Sequence, residues 1–229
     1  PPMGMMEPYV PMKMTLGHDA QGDACEAELS ETLVFSLAGQ ISHVESMLDP
    51  MTDLEINCAS QLSLLECCRE GNPGAKIVFA STRQLYGRPQ YLPVDEAHPL
   101  VPVDVNGINK LAAERYYSLY HEVHGLATVS LRLTNTYGPR MHPNDGRVVS
   151  NFIVQALTNQ PITIYGDGSQ TRSFCFVDDL IAGLTSLMES GPEITGPVNL
   201  GNPHEFTISE LAGLVVEMTG SKTRVINKP

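Results

Sequence analysis

Apolar runs and apolar stripes alternate along the first half of the chain. Residues 32–38 form a short apolar run closed by Gly39, which predicts a buried strand. From 53 to 71 the spacing turns helical, with Leu54, Cys58, Leu62, Leu65 and Cys68 on one face. Asn72-Pro73-Gly74 supplies the stop. Residues 76–80 predict a second buried strand. A second helix is predicted over 110–124, with Ala112, Tyr116, Leu119 and Val123 on one side and Gly125 at its end. Residues 128–133 predict a third strand. Strand, helix, strand, helix, strand in this order implies right-handed crossovers and a parallel sheet covered by helices on both faces.

After Gly138 the pattern changes. Val149, Phe152, Ile153, Ala156 and Leu157 form one helical face, and Leu180, Ile181, Leu184, Leu187 and Met188 form another. Thr207-Ile208-Ser209-Glu210 is a capping box opening a third helix, which Gly220 closes. Residues 198–200 predict a short strand. Residues 1–30 carry no clear period. The fold expected is α/β, a Rossmann-like doubly wound parallel sheet that is N-terminally incomplete, with a small, mostly helical second lobe. The expected boundary separates 1–137 from 138–229.

Composition narrows the function. The 229 residues carry a formal charge of −12. A chain this acidic repels nucleic acid and anionic membrane surfaces, so neither is expected as a partner. An anionic ligand needs a local basic pocket. Five cysteines at unpaired spacings point to a reducing compartment, and the expected location is the cytoplasm. Cys67-Cys68 read as small apolar fillers. No apolar run is long enough to span a bilayer, and no signal peptide is expected from residues 1–14. No metal site is expected.

Two segments carry candidate chemistry in their own right. Leu37, Ala38, Gly39 and Gln40 end a predicted parallel strand, where ligands of open α/β sheets bind. Small residues there let a cofactor approach the backbone, although an ordinary tight turn reads the same way. Arg172 ends the turn-rich run Gly166-Asp167-Gly168-Ser169-Gln170-Thr171. Its guanidinium suits bidentate binding of a diphosphate, or pairing with Asp178 or Asp179. Tyr165 is suited to packing on a nucleoside ring or in the core.

Several motifs in register resemble those of the extended short-chain dehydrogenases/reductases, the NAD-dependent epimerase/dehydratase family. They are Ser81-Thr82-Arg83-Gln84-Leu85-Tyr86-Gly87, Asn106-x-x-x-Lys110, Arg132-Leu133-Thr134-Asn135-Thr136-Tyr137-Gly138-Pro139, and the run from Asp145-Gly146-Arg147-Val148 to Phe152. Within that family the chain is most similar to the UDP-glucuronic acid decarboxylases. The resemblance implies a UDP-sugar substrate and bound NAD. It assigns Thr82 to the sugar 4-hydroxyl, Lys110 to the nicotinamide ribose, Asn135 and Arg172 to the diphosphate, and Arg147, Val148 and Asn151 to the uridine. Tyr165 stands beside them. Leu37, Ala38 and Gly39 would face the cofactor, and Asp19 would contact its adenine. A homodimer is compatible with the resemblance.

The chain departs from the family pattern in two ways. Asn106 stands where the family has the catalytic tyrosine, and Gln84 stands where the decarboxylases have a glutamate. An amide has no proton equilibrium near neutral pH. No Gly-x-x-Gly-x-x-Gly loop precedes Thr32, which is expected of a fragment, a truncated gene product or a remodelled family member, and tight NAD binding is not expected without it. The reaction implied is oxidation at C4, loss of carbon dioxide from the β-keto acid, and reduction of the 4-keto sugar. With both acid/base positions held by amides, turnover is expected to be weak or absent. An epimerase or 4,6-dehydratase, and a non-catalytic sugar-nucleotide-binding protein, are the alternatives.

Overall fold

The structure, a computed structural model, describes residues 33–143 and 146–229, together with the backbone of 12–18 and 24–29. Asp19, Asn144 and Asp145 lie outside the described residues. Strands β1 (Met12–His18) and β2 (Ala24–Leu29) pair antiparallel. Then come β3 (Leu33–Ser36), α1 (His43–Leu48), α2 (Pro50–Leu54), a π-helical turn (Glu55–Ala59), α3 (Ser60–Gly71), β4 (Lys76–Thr82), a 3-10 turn (Arg83–Tyr86), α4 (Val105–His124) and β5 (Ala127–Leu133). The remainder holds β6 (Asn135–Tyr137), α5 (Val148–Leu157), β7 (Ile162–Tyr165), β8 (Thr171–Phe176), α6 (Val177–Glu189), β9 (Val198–Leu200), β10 (Glu205–Thr207), α7 (Ile208–Thr219) and β11 (Val225–Lys228). The chain divides into two compact units, 1–133 with 184–199, and 134–183 with 200–229.

In the first unit the sheet order is β3-β4-β5-β9, and β3, β4 and β5 run parallel. Strand β4, whose run Ile77-Val78-Phe79-Ala80 is apolar and buried, lies inside the sheet, as the sequence predicts for a strand covered on both faces. Leu64, Leu65 and Cys68 of α3 and Ala113, Tyr117 and Tyr120 of α4 pack on Ile77 and Phe79. The Phe79 and Tyr117 rings stack 4.6 Å apart. Such a pair contributes about 0.5–1.5 kcal/mol beyond its buried area.

Three expectations need correcting here. Strand β3 is not buried throughout: Leu33 and Phe35 are exposed, because among the described residues β3 pairs only with β4 and stands at an edge. The helix expected over 53–71 is broken by the π-helical turn, which rotates the buried face onto Asn57, Cys58, Gln61, Leu64, Leu65 and Cys68 and leaves Leu54 exposed. On α4 the expected stripe is displaced by one residue. Leu119 and Val123 are 47% and 63% exposed, while Ala113, Tyr117 and Tyr120 are buried in line with Asn106, Asn109, Lys110 and Glu114. Polar residues therefore occupy much of the inward face, and a purely apolar stripe search selects its neighbour.

The second unit is built on α5, α7 and β7, whose Phe152, Ala156, Ile162, Ile164, Ile208, Ala212 and Val215 form its core. The expected α5 face holds for Val149, Phe152 and Ala156, whereas Leu157 is exposed. On α6, Leu184, Leu187 and Met188 are buried and Ile181 is exposed. The capping box forms as predicted. Thr207 Oγ1 accepts from Glu210 N at 3.0 Å, and Glu210 Oε2 accepts from Thr207 N at 2.8 Å. Short strands complete the unit as β10-β8-β6 and β11-β7.

Candidate functional site

Helix α4 starts where Asp104 caps it, accepting from Gly107 N at 2.7 Å. This start places Asn106, Asn109 and Lys110 on the inward face of the first turns, all buried. Lys110 Nζ donates to Ala80 O at 3.0 Å and lies 4.9 Å from the centre of the Phe79 ring. Burial pushes its pKa down to about 8, and the charge of Asp53 opposes that fall. Asn106 is turned into the interior. Its Nδ2 donates to Gln40 O at 2.7 Å and to Asp53 Oδ2 at 3.1 Å.

At the end of β3, Leu37 and Ala38 are exposed and Gly39 is half-buried. A Cβ on Gly39 would sit 2.8 Å from Lys110 Nζ and 2.9 Å from Asn57 Oδ1, too close for either to stay in place, so glycine is what lets both groups approach the strand end. Asn57 Oδ1 is buried with no hydrogen-bond partner among the described residues. An orphaned acceptor of this kind needs an explanation, because most buried polar atoms are satisfied.

Thr82 ends β4 and caps the following turn, its Oγ1 accepting from Gln84 N at 3.3 Å. Gln84 Oε1 lies 3.5 Å from that hydroxyl. Tyr86 is engaged elsewhere: its hydroxyl donates to Asn199 Oδ1 at 2.6 Å and accepts from Arg132 Nη1 at 2.8 Å. Arg132 in turn forms a buried ion pair with Glu114 at 2.5 Å, and Ser81 Oγ donates to the same carboxylate at 2.9 Å.

The second unit contains a cavity of about 420 Å³, within the size range of small-ligand pockets. Val148 and Asn151 of α5, Tyr165 of β7 and Arg172 of β8 all line it. Tyr165 is 68% exposed and so is no core residue. Arg172 is exposed, with its Nη1 on Thr171 O at 2.7 Å, and no ion pair with Asp178 or Asp179 occurs. Gln155, Gln170 and Lys228 also line the cavity. Lys228 arrives there because β11 runs parallel to β7 with Lys228 opposite Tyr165. Two cations thus meet in one cavity of a strongly acidic chain.

Arg147 and Asn135 do not line this cavity. Arg147 is the cap residue of α5, and its carbonyl accepts from Asn151 N at 3.0 Å. Asn135 Nδ2 donates to Ser173 O at 3.3 Å. A second, more apolar groove of about 460 Å³ lies on the other side of α5, lined by Tyr137, Met141, Val149, Ile153 and Phe176 among others. Among the described residues no His/Cys/Asp/Glu group could hold a metal ion, and no helix is long and apolar enough to cross a membrane.

Sequence reasoning missed Asp53, Asn57 and Asn109 in the first unit and Gln155, Gln170 and Lys228 in the second. Asp53 and Asn57 stand four apart, and Asn106 and Asn109 three apart, so each pair shares a helix face. That polar stripe was the available signal. Lys228 had none, since only strand pairing brings it to the cavity.

A parallel sheet with buried polar helix starts at its strand ends defines a Rossmann-like α/β protein, and its second unit holds a cationic cavity. The profile of the NAD dependent epimerase/dehydratase family matches residues 14–201, and the chain belongs to that family. It is 40% identical over 197 residues to UDP-glucuronic acid decarboxylase 1 of Danio rerio, a match covering 84% of this chain and 46% of that protein. It is 38% identical over 217 residues to UDP-glucuronic acid decarboxylase 5 of Arabidopsis thaliana, covering 90% and 62%. The chain therefore spans about half to three-fifths of the length of these relatives. Among solved structures it is similar to UDP-glucose 4-epimerase with UDP-glucose from Thermotoga maritima, with a TM-score of 0.81, 32% identity, and coverage of 86% of this chain and 64% of that one. It is also similar to UDP-glucuronic acid 4-epimerase from Bacillus cereus in complex with UDP-glucuronic acid and NAD, with a TM-score of 0.79, 28% identity, and coverage of 86% and 62%.

Proposed function

We propose that this protein binds a UDP-sugar in the cavity of its second unit and modifies it with NAD, in the manner of a UDP-glucuronate decarboxylase. The observation that carries this reading is the meeting of Val148, Asn151, Tyr165, Arg172 and Lys228 around one cavity. Arg172 binds the diphosphate, where its fork matches two oxygens at once, and Val148 and Asn151 hold the uridine, whereas Asn135 and Arg147, which lie outside the cavity lining, have no direct part in this reading. The first unit, read as the cofactor half, presents Leu37, Ala38 and Gly39 to the cofactor.

The residues present fit the nicotinamide end of NAD. A buried ammonium and an amide oxygen without a partner among the described residues both approach Gly39 at the strand end, a donor and an acceptor suited to a polar ligand. When bound, NAD would accept and return the hydride at C4 of the sugar. Lys110 would hold the ribose, and Thr82 would orient the 4-hydroxyl. A homodimer in the cytoplasm belongs to the same reading.

A second reading, a sugar-nucleotide-binding protein without turnover, is favoured by one observation. Asn106 cannot move a proton, and its amide is already committed to Asp53 and Gln40. A missing general base typically lowers the rate by about 10²–10⁴-fold. Incubation with saturating NAD and UDP-glucuronate, followed by assay of carbon dioxide and UDP-xylose, separates the two. Product formation supports the first reading. UDP binding by calorimetry without product supports the second, and absence of UDP binding defeats both.

A further inference from the structure

Three asparagine amides converge on one buried carboxylate. Asp53 Oδ2 accepts from Asn57 Nδ2 at 3.0 Å and from Asn106 Nδ2 at 3.1 Å, and Asp53 Oδ1 accepts from Asn109 Nδ2 at 2.8 Å. Asp53, Asn57, Asn106 and Asn109 are all buried. Among the described residues no ion pair includes Asp53. A carboxylate removed from water is costly unless hydrogen bonds replace its hydration, and here three amides do so.

The same amides reach one step further. Gln40 O accepts from Asn106 Nδ2 at 2.7 Å and from Asn57 Nδ2 at 3.0 Å. The strand-end segment 37–40 is thereby tied to the first turn of α4 and to the π-helical turn. Lys110 lies one helical turn beyond Asn106 and reaches back to the same place, since its Nζ closes on Gly39. Segment 37–40 is also stitched from its other side, where Ser42 N donates to Gln40 Oε1 at 2.6 Å and Gln40 Nε2 donates to Glu45 Oε2 at 2.7 Å.

We propose that Asp53, acting through Asn106 and Asn109, is a positioning residue that fixes segment 37–40 and Lys110 against each other at the strand end. Asn106 is then a working part of a buried frame, not a vacated acid/base position. This rests on the reading that 37–40 and Lys110 face the cofactor. The frame also has an electrostatic side, because Asp53 is the charge that bears on Lys110. Among the described residues the ammonium also meets the Ala80 carbonyl and the Phe79 ring, and the Asn57 amide lies by it at Gly39; none of these titrates. A tyrosine at 106 has no amide to give to Gln40 O or Asp53, so restoring the family residue should break the frame.

The test uses the full chain with Asn106→Ala, Asn106→Tyr and Asp53→Asn. Amide hydrogen exchange over 37–42 should be at least about tenfold faster in both Asn106 variants, since local opening sets that rate. Side-chain NMR should show Lys110 titrating at lower pH in Asp53→Asn than in the unmodified chain. In Asn106→Ala, which keeps the Asp53 charge, it should move less. A residue that merely filled space would not move that midpoint. Retained exchange protection in the β4 core, away from 37–42, reports that the first unit of each variant is folded. If Asp53→Asn does not fold, Asn106→Ala decides. Exchange and Lys110 titration that match the unmodified chain overturn the proposal. Failure of the unmodified chain to bind NAD would sink the cofactor reading alone, since exchange and titration still decide the frame.

Discussion

The polar groups around Lys110 and those around Arg172 are held in opposite ways. In the first unit Lys110, Asp53, Asn106, Arg132 and Glu114 are buried and each is held by interior partners: Asp53 by Asn106, Arg132 by Glu114, and Lys110 by the Ala80 carbonyl. In the second, Tyr165 and Arg172 stand exposed at the rim of a cavity, and among the described residues the Arg172 guanidinium bonds to its neighbour's carbonyl alone. A buried polar group is coupled to folding, because leaving its partner unsatisfied carries the full desolvation penalty. An exposed one is free to change with little effect on the fold. Substitutions in the first unit should therefore register as stability, and those in the second as binding.

The largest test of that contrast is Glu114→Gln, which leaves the Arg132 guanidinium buried without its counter-charge. Breaking such a pair from one side costs about 3–5 kcal/mol. Urea unfolding should show a loss of that size, and a loss below about 1 kcal/mol would mean that the interior is wetter than the contrast requires.

Next comes the pH dependence contributed by Lys110. Its pKa lies at about 8 in the folded protein against an ordinary 10.5. Below pH 8 the folded state bears the whole penalty of a buried ammonium. Between pH 8 and 10.5 the folded state has released the proton and the unfolded state has not, so stability rises with pH. At about 1.4 kcal/mol per unit, the full change is about 3 kcal/mol. The unmodified protein should gain roughly that much relative to Lys110→Met between pH 7.5 and 10.5 in paired denaturant titrations. A constant difference between the two would place Lys110 in contact with water.

The smallest effect on the fold, and the sharpest on ligand, is expected for Arg172→Ala. Removing a charge-assisted contact should weaken UDP binding by about 1.5–3 kcal/mol, while unfolding free energy stays within about 0.5 kcal/mol. A large stability loss with unchanged UDP affinity would reverse the comparison.

The same contrast explains what the sequence made legible. Strand β4 and the caps at Gly125, Thr207 and Gly220 were readable because each depends on local spacing or on a residue type with one conformational use. Arg172, Val148, Asn151 and Tyr165 could be picked out because the second-unit motifs are contiguous in sequence. The interior of the first unit was harder to read. Asp53, Asn57, Asn106 and Asn109 come from segments some fifty residues apart and look like surface polar residues one by one. Their burial also displaced the apparent stripe of α4 onto Leu119 and Val123. The π-helical turn after Leu54 shifted the helical register in a way no regular period encodes. Lys228 reached the cavity through β11 pairing alone.

Helix α6 begins in one unit and ends in the other, and its last turn is secured by Lys76. That ammonium donates to Leu187 O at 3.0 Å and to Ser190 O at 2.6 Å, serving the carbonyls a helix leaves open at its end. The chain leaves the first unit after Leu133, re-enters it at Leu184 and departs again after Asn199. For inheritance this arrangement is restrictive. A single genetic crossover after β5 would pair the strand that bears Lys76 with a helix end it has never met. Lineages that trade one specificity for another by recombination must carry 184–199 along with 1–133, or change the cavity residue by residue instead.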